Sequence, residues 1–271
     1  MGVLFGTDGV REVANTRLTP ELAFRLGRAG AAIVVRRSGG RSLMVVGGDT
    51  RRSTGMLEAA AVAGVTSVGV DAARAGVVPT PAVAYLTRAL GASAGVMVSA
   101  SHNPAEYNGI KFFGPDGFKL ADELEEEIEA GAMAAGGGDM GAATWGEADG
   151  LPRPHGAGVG VVSDIVDAVD MYVRFAAGVA RRRLDGLHIV VDCANGASFR
   201  TSPAAFRALG AKTTVINDFP DGDNINVRCG STHPEALQEA VRELGADLGF
   251  AHDGDADRVM AVDSDGNVVD G

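Results

Sequence analysis

Ser99, Ser101, His102 and Asn103 place polar groups at four of five consecutive positions, immediately after the apolar run Ala94-Gly-Val-Met-Val98. Such a run reads as a buried strand, so these side chains emerge where a strand opens into a loop, and Pro104 keeps the strand from continuing. Hydroxyls, an imidazole and an amide pack poorly in a core but handle phosphate well. Ser101 is therefore a candidate nucleophile. A Ser-His-Asn triplet after a strand is more often an ordinary turn, so it takes its meaning from what the remainder of the chain brings to it.

A second cluster follows the apolar segment Leu248-Gly-Phe-Ala251, where Asp253, Asp255 and Asp257 alternate over five residues. Three carboxylates so close repel one another unless a cation sits between them, and hard oxygen ligands select Mg²⁺ or a similar ion. The competing reading is a set of solvated turn aspartates. A calcium EF-hand needs Gly at the sixth loop position and Glu at the twelfth, and Arg258 and Ser264 stand there instead. A haloacid-dehalogenase-type phosphatase would use Asp253 as an aspartyl-phosphate acceptor. That pattern expects Thr or Val at Asp257, and it stays open as an alternative.

The elements that must hold these loops alternate between strand and helix. Thr19 as N-cap and Pro20 at the first helical position open a helix with Leu22, Leu26, Ala29 and Ile33 on one face. Residues 42–46 read as a strand delivering Gly47-Gly-Asp-Thr-Arg51, followed by a helix over 54–63. Val77-Val-Pro-Thr-Pro81 is a rigid connection into a helix ending near Leu90, and Gly114-Pro-Asp-Gly117 predicts a hairpin between 110–113 and 118–120. Six carboxylates over 122–130 surround Leu124 and Ile128, and the charge run is expected on the wet side of a helix.

From Gly131 to Gly160 the composition turns to Gly and Ala, with Pro152 and Pro154 near its end, which marks the domain boundary. We place the domains at 1–155, with the serine loop, and 156–271, with the acidic loop. The second opens on a helix with the face Ile165, Val169, Tyr172, Val173 and Ala176, and then alternates strands at 188–191, 211–216 and 248–251 with helices. The fold class expected is α/β, two successive domains with mixed or parallel sheets. Ligands of such sheets sit at the C-terminal strand ends, where both polar clusters lie.

A net charge of -11 disfavours nucleic acid and anionic membranes as partners. The one basic run, Arg181-Arg182-Arg183, is expected at a helix end, where cations favour the dipole. Two cysteines without a disulfide framework, no apolar run near the ~20 residues of a membrane span, and an N-terminus without signal-peptide features predict a cytoplasmic protein.

Taken together, the Ser-His-Asn-Pro and Asp-Gly-Asp-Ala-Asp-Arg loops make the chain resemble the α-D-phosphohexomutases. Further matching segments are Phe5-Gly-Thr-Asp-Gly-Val-Arg11, residues 75–87, Asn108-Gly-Ile-Lys-Phe-Phe-Gly114 and Val191-Asp-Cys-Ala-Asn-Gly-Ala197. Asn224-Ile-Asn226 and Cys229-Gly-Ser-Thr-His-Pro234 favour the branch acting on glucosamine phosphate. The resemblance implies a sugar 1,6-phosphomutase that passes a phosphoryl group through a phosphoserine and a sugar bisphosphate. It implies Ser101 as the phosphoserine, and Mg²⁺ held by Asp253, Asp255, Asp257 and the phosphoserine oxygen. Arg11 and Arg258 would steady the phosphate, Lys111 would exchange a proton with the sugar hydroxyl, and His102 and Asn103 would orient the loop.

The partner implied is a small sugar phosphate, with neither nucleic acid nor membrane and with homodimerisation left open. Glu12 departs from the Gly usual in the family, and Gly48 and Thr54 replace the Arg and Gly of Gly-Arg-Asp-Thr-Arg-x-Ser-Gly. Family members continue into a third and a fourth domain, so the chain is expected to match their first two and to isomerise sugar poorly alone. The alternatives are a mannose- or glucose-phosphate mutase, an aspartyl-phosphate phosphatase, and a binding module without catalysis.

Overall fold

In the computed structural model, residues 5–6, 9–38, 42–134 and 150–269 are described. Thr7 and Asp8 of the first motif, and residues 135–149 of the Gly/Ala stretch, lie outside them.

The first unit is built on β1 (Phe5–Gly6), β2 (Gly9–Val13), α1 (Pro20–Ser38), β3 (Leu43–Gly48), α2 (Thr54–Thr66), β4 (Asp71–Val77), α3 (Thr80–Ala89), β5 (Ala94–Val98), β6 (Tyr107–Phe113) and α4 (Asp122–Ala134). With β7 (Val162–Asp164) these strands form one sheet in the order β1-β2-β6-β5-β3-β4-β7. β3 pairs in parallel with β4 and β5, whereas β6 runs antiparallel to β5 and β2. All five residues of β5 are buried, as a strand covered on both faces requires. Their alternation divides them: Ala94, Val96 and Val98 join the core under α1, α2 and α4, and Met97 joins the core under α3.

α1 starts as its cap residues predict, with the Leu22 amide donating to Thr19 Oγ1 at 3.3 Å. The Gly114 turn closes a minimal hairpin whose return arm makes a single bridge, Phe113 to Lys119. The acidic run on α4 differs from expectation. Glu125 and Glu129 are buried with Ile128 and Ala132, because i, i+3, i+4 and i+7 positions share the stripe that packs on α1. Burial of Glu125 is offset by Lys119, 2.7 Å away.

The second unit carries α5 (Ala168–Gly178), β8 (His188–Asp192), α6 (Thr201–Ala208), β9 (Lys212–Ile216), α7 (Glu235–Leu244), β10 (Leu248–His252), β11 (Val259–Val262) and β12 (Val268–Val269). Its sheet runs β12-β11-β10-β8-β9, parallel over β10, β8 and β9. α5 ends at Gly178, so the arginine run lies in the connection beyond the helix, where Arg183 pairs with Asp185 at 2.7 Å.

β7 and the start of α5 turn back to the first unit: β7 pairs with β4, and Ala168, Ile165 and Tyr172 pack into the core under α3. Among the described residues no helix is long and apolar enough to cross a membrane. The C-terminal ends of β3 and β5 in one sheet, and of β8 and β10 in the other, deliver loops to a common cleft.

Candidate active site

Ser101 is the third residue after β5, and Asp253 is the first after β10. The two sheets bring them into contact across the cleft, with Ser101 Oγ donating to Asp253 Oδ2 at 2.5 Å. Both residues are buried, at 2% and 1% exposure. Arg258 reaches the same point, its Nη2 lying 2.8 Å from Ser101 Oγ and 3.0 Å from Asp253 Oδ2. His102 Nδ1 stands 3.5 Å from Ser101 Oγ and makes a close contact with Arg258 Nη2. Burial, with Arg258 and Arg11 nearby, pushes the His102 pKa below the usual imidazole value, so the ring is neutral at neutral pH and accepts. Arg11 on β2 reaches Asn103 Oδ1 at 3.4 Å.

Carboxylate oxygens of Asp253, Asp255 and Asp257 lie within 4.8 Å of one another. Lys111, on β6, reaches Asp255 Oδ2 at 2.6 Å and Asp257 Oδ2 at 3.4 Å. Among the described residues, two cations, Lys111 and Arg258, pair with the three carboxylates, which leaves one negative charge unpaired there. The Asp255 carboxyl is opposed by burial, but Lys111 and the Thr80 hydroxyl hold its pKa below the usual carboxylate value. Burial and the charge of Asp255 push Asp257 the other way. Asp255 Oδ1 is buried and accepts no hydrogen bond from the described residues, a costly arrangement for a carboxylate oxygen. Hard oxygen donors, excess negative charge and this orphaned oxygen fit a divalent cation such as Mg²⁺.

The backbone is shaped for this purpose. Ser101 has φ +54° and Ala256 has φ +53°, left-handed conformations that cost L-residues ~1–3 kcal/mol where surrounding structure enforces them. Enforcement of Ser101 comes from the loop after β3. Asp49 accepts from Ser99 Oγ at 2.6 Å and from Thr54 Oγ1 at 2.9 Å, and forms a buried ion pair with Arg51. Ser99 Oγ in turn receives the Ser101 amide at 3.0 Å.

Gly48 and Thr54, beside Asp49, are sterically coupled. A Cβ on Gly48 would lie 2.3 Å from Thr54 Cγ2, so a side chain at 48 and the threonine at 54 exclude each other. Thr54 repays its space with the bond to Asp49. We expect Gly48→Ala to cost about 1–3 kcal/mol by overpacking and Gly48→Ala/Thr54→Gly to cost less than the sum of the singles. A double-mutant cycle on melting curves measures this, and additivity would contradict it.

All the residues singled out from the two motifs meet at this point. Thr80, Asn226 and the Asp49–Arg51 pair were not assigned roles from sequence. Thr80 Oγ1 donates to Asp255 Oδ2 at 2.6 Å, and its amide donates to the Asp255 carbonyl at 2.9 Å. Its signals were its place in the rigid Val-Val-Pro-Thr-Pro junction opening α3 and in the matching segment 75–87.

Comparison with known proteins covers both units. Residues 2–136 match the family profile described as phosphoglucomutase/phosphomannomutase, alpha/beta/alpha domain I, and residues 155–266 match alpha/beta/alpha domain II. The phosphoglucosamine mutase of Pelotomaculum thermopropionicum is 58% identical over 271 residues, all of this chain and 58% of that protein. A phosphoglucomutase/phosphomannomutase family protein from Burkholderia thailandensis superposes with a TM-score of 0.80 at 27% identity, covering 98% of this chain and 56% of the other. Aspergillus fumigatus N-acetylphosphoglucosamine mutase, solved in complex with GlcNAc-6P and magnesium, shares the fold at 18% identity and a TM-score of 0.52, over 98% of this chain and 51% of that one. The chain thus spans rather more than half the length of the relatives it matches. With domains I and II matched in order, the chain belongs to the phosphoglucomutase/phosphomannomutase family, the α-D-phosphohexomutases.

Proposed function

We propose that this chain is the phosphoryl-carrying and metal-binding part of a 1,6-phosphomutase interconverting glucosamine 6-phosphate and glucosamine 1-phosphate. The observation that carries this reading is the 2.5 Å contact of Ser101 Oγ with Asp253, inside a trio of aspartates delivered by the other sheet. The names of relatives 54–58% identical to the chain support glucosamine phosphate as the substrate. In this reading residues 1–155 present the serine and residues 156–271 present the ion.

Ser101 carries the phosphoryl group. A sugar hydroxyl attacks phosphorus, the bond to Ser101 Oγ breaks, and the bisphosphate then returns its other phosphoryl group to the same oxygen. Phosphoryl transfer of this kind relies on positioning and charge neutralisation more than on covalent help. Asp253, Asp255, Asp257 and the Ser101 oxygen would hold Mg²⁺, which would supply positive charge to the phosphoryl oxygens. Arg258 and Arg11 steady the phosphate from the protein side. Lys111 exchanges the proton of the attacking hydroxyl, and the neutral His102 ring orients Arg258.

Two buried free cysteines, Cys193 and Cys229, accord with a cytoplasmic setting; burial pushes both thiols up to about 12, which keeps them inert.

Phosphopeptide mass spectrometry after incubation with glucose 1,6-bisphosphate tests the reading. Phosphate on Ser101 is expected. A hydroxylamine-labile acyl phosphate on Asp253 would instead identify an aspartyl-phosphate phosphatase, and neither modification, with no metal bound, a binding module.

A further inference from the structure

We propose that Asn226 is a positioning residue that aims Ser101 only when the two domains are aligned. The inference deepens the reading of Ser101 as phosphoryl carrier and rests on it. Asn226 Nδ2, from the second domain, donates to the Ser101 carbonyl at 2.9 Å and to the Asn103 carbonyl at 3.2 Å. Arg51 Nη2, from the first, donates to the same two oxygens at 3.2 Å and 2.5 Å. These two carbonyls of the serine loop are therefore each held by one donor from each side of the cleft.

The two donors are anchored differently. Arg51 is 2% exposed and locked by Asp49, so it belongs to the same rigid body as the serine loop. Asn226 has φ +61°, a conformation Asn tolerates better than most residues, and its amide donates to the Ala194 carbonyl at 2.9 Å. It therefore moves with β8 and β10. The close approach is built in at Gly254, where a Cβ would lie 2.6 Å from the Ser101 carbonyl oxygen and 2.8 Å from Asn226 Nδ2. Neighbouring contacts keep the same alignment: Thr50 Oγ1 donates to the Asn195 carbonyl at 2.6 Å, and the Arg52 amide to the Gly222 carbonyl at 3.0 Å. If the domains part, Arg51 stays and Asn226 leaves, and the left-handed Ser101 loses half of the grip on its carbonyl.

The test uses the 271-residue chain with Asn226→Asp, which keeps the shape and backbone preference but not the donor, and Asn226→Gly, which keeps the backbone freedom. The initial rate of phosphate transfer from glucose 1,6-bisphosphate to Ser101 is measured against bisphosphate concentration. Both variants are expected to lose about 10–100-fold in maximal rate, with half-saturation within about twofold, since small misplacement of a reacting group has this effect. Hydrogen exchange of residues 100–103 is expected to quicken about tenfold or more, while the melting temperature and exchange elsewhere stay near the parent's. A merely structural role would shift melting and exchange throughout and leave the rate per folded molecule alone, which would overturn the proposal. If the parent chain never labels Ser101, the phosphoserine reading fails; the positioning claim is then decided by exchange at 100–103, and unchanged exchange there overturns it.

Discussion

Ser101→Ala is expected to abolish phosphate incorporation into the chain, by at least about 10³-fold against the parent incubated with the same bisphosphate. The magnitude follows from what the hydroxyl does. Its Oγ touches both Asp253 and Arg258, at 2.5 Å and 2.8 Å, so it lies where a phosphoryl group would meet acidic trio and guanidinium together. Ser99 offers no substitute, because its hydroxyl is buried and committed to Asp49 while receiving the Ser101 amide. The fold should survive, because the backbone at 101 is held through its amide and carbonyl rather than through Oγ. Mass spectrometry of labelled and unlabelled chain checks this, and undiminished labelling of the variant would move the acceptor elsewhere, with Asp253 the first residue to inspect.

Asp255→Asn should cost the chain its divalent-ion affinity, by about 100-fold or more, which is about 2.7 kcal/mol. Asp255 is fully buried, and one of its oxygens serves Lys111 and Thr80 while the other has no partner among the described residues. Removing its charge leaves two carboxylates facing Lys111 and Arg258, so the excess negative charge that attracts an ion disappears. Lys111 then keeps Asp257, at 3.4 Å, as its ion-pair partner among the described residues. Titration calorimetry with MgCl₂ measures the loss. Asp265→Asn, on the exposed turn between β11 and β12, is the control and should leave affinity unchanged. Equal binding by the Asp255 variant would show that the trio is not the ion site.

Much of this architecture was readable because two physical signals coincide in it. Strands β3, β5, β8 and β10 are short apolar runs that open into polar loops, and a parallel sheet makes such loops share an edge. Other elements gave no such signal. β4, Asp-Ala-Ala-Arg-Ala-Gly-Val, is poor in β-formers and is a strand because β3 and β7 pair with it on either side. β11 and β12 were missed although Asp263-Ser-Asp-Gly-Asn267 between them is turn-forming, and Asp263 indeed accepts the amides of Asp265 and Asn267. The acidic run on α4 misled because composition does not say which phase of a helix faces inward.

At the site, the serine, the imidazole and the three aspartates declared themselves through motif and spacing. Asn226 and Arg51 stood in motifs, Asn224-Ile-Asn226 and the loop after β3, but their role did not show, because their task is to hold carbonyl oxygens on a loop distant in sequence. Only coordinates reveal a contact whose acceptor is backbone.

The central claim is that Ser101 and the three aspartates form one centre for a divalent ion. Anomalous diffraction from crystals of the chain soaked in MnCl₂ tests it most directly. A single strong peak bounded by Asp253, Asp255, Asp257 and Ser101 Oγ is the predicted result; a peak remote from Ser101, or none at these carboxylates under saturating Mn²⁺, would contradict it.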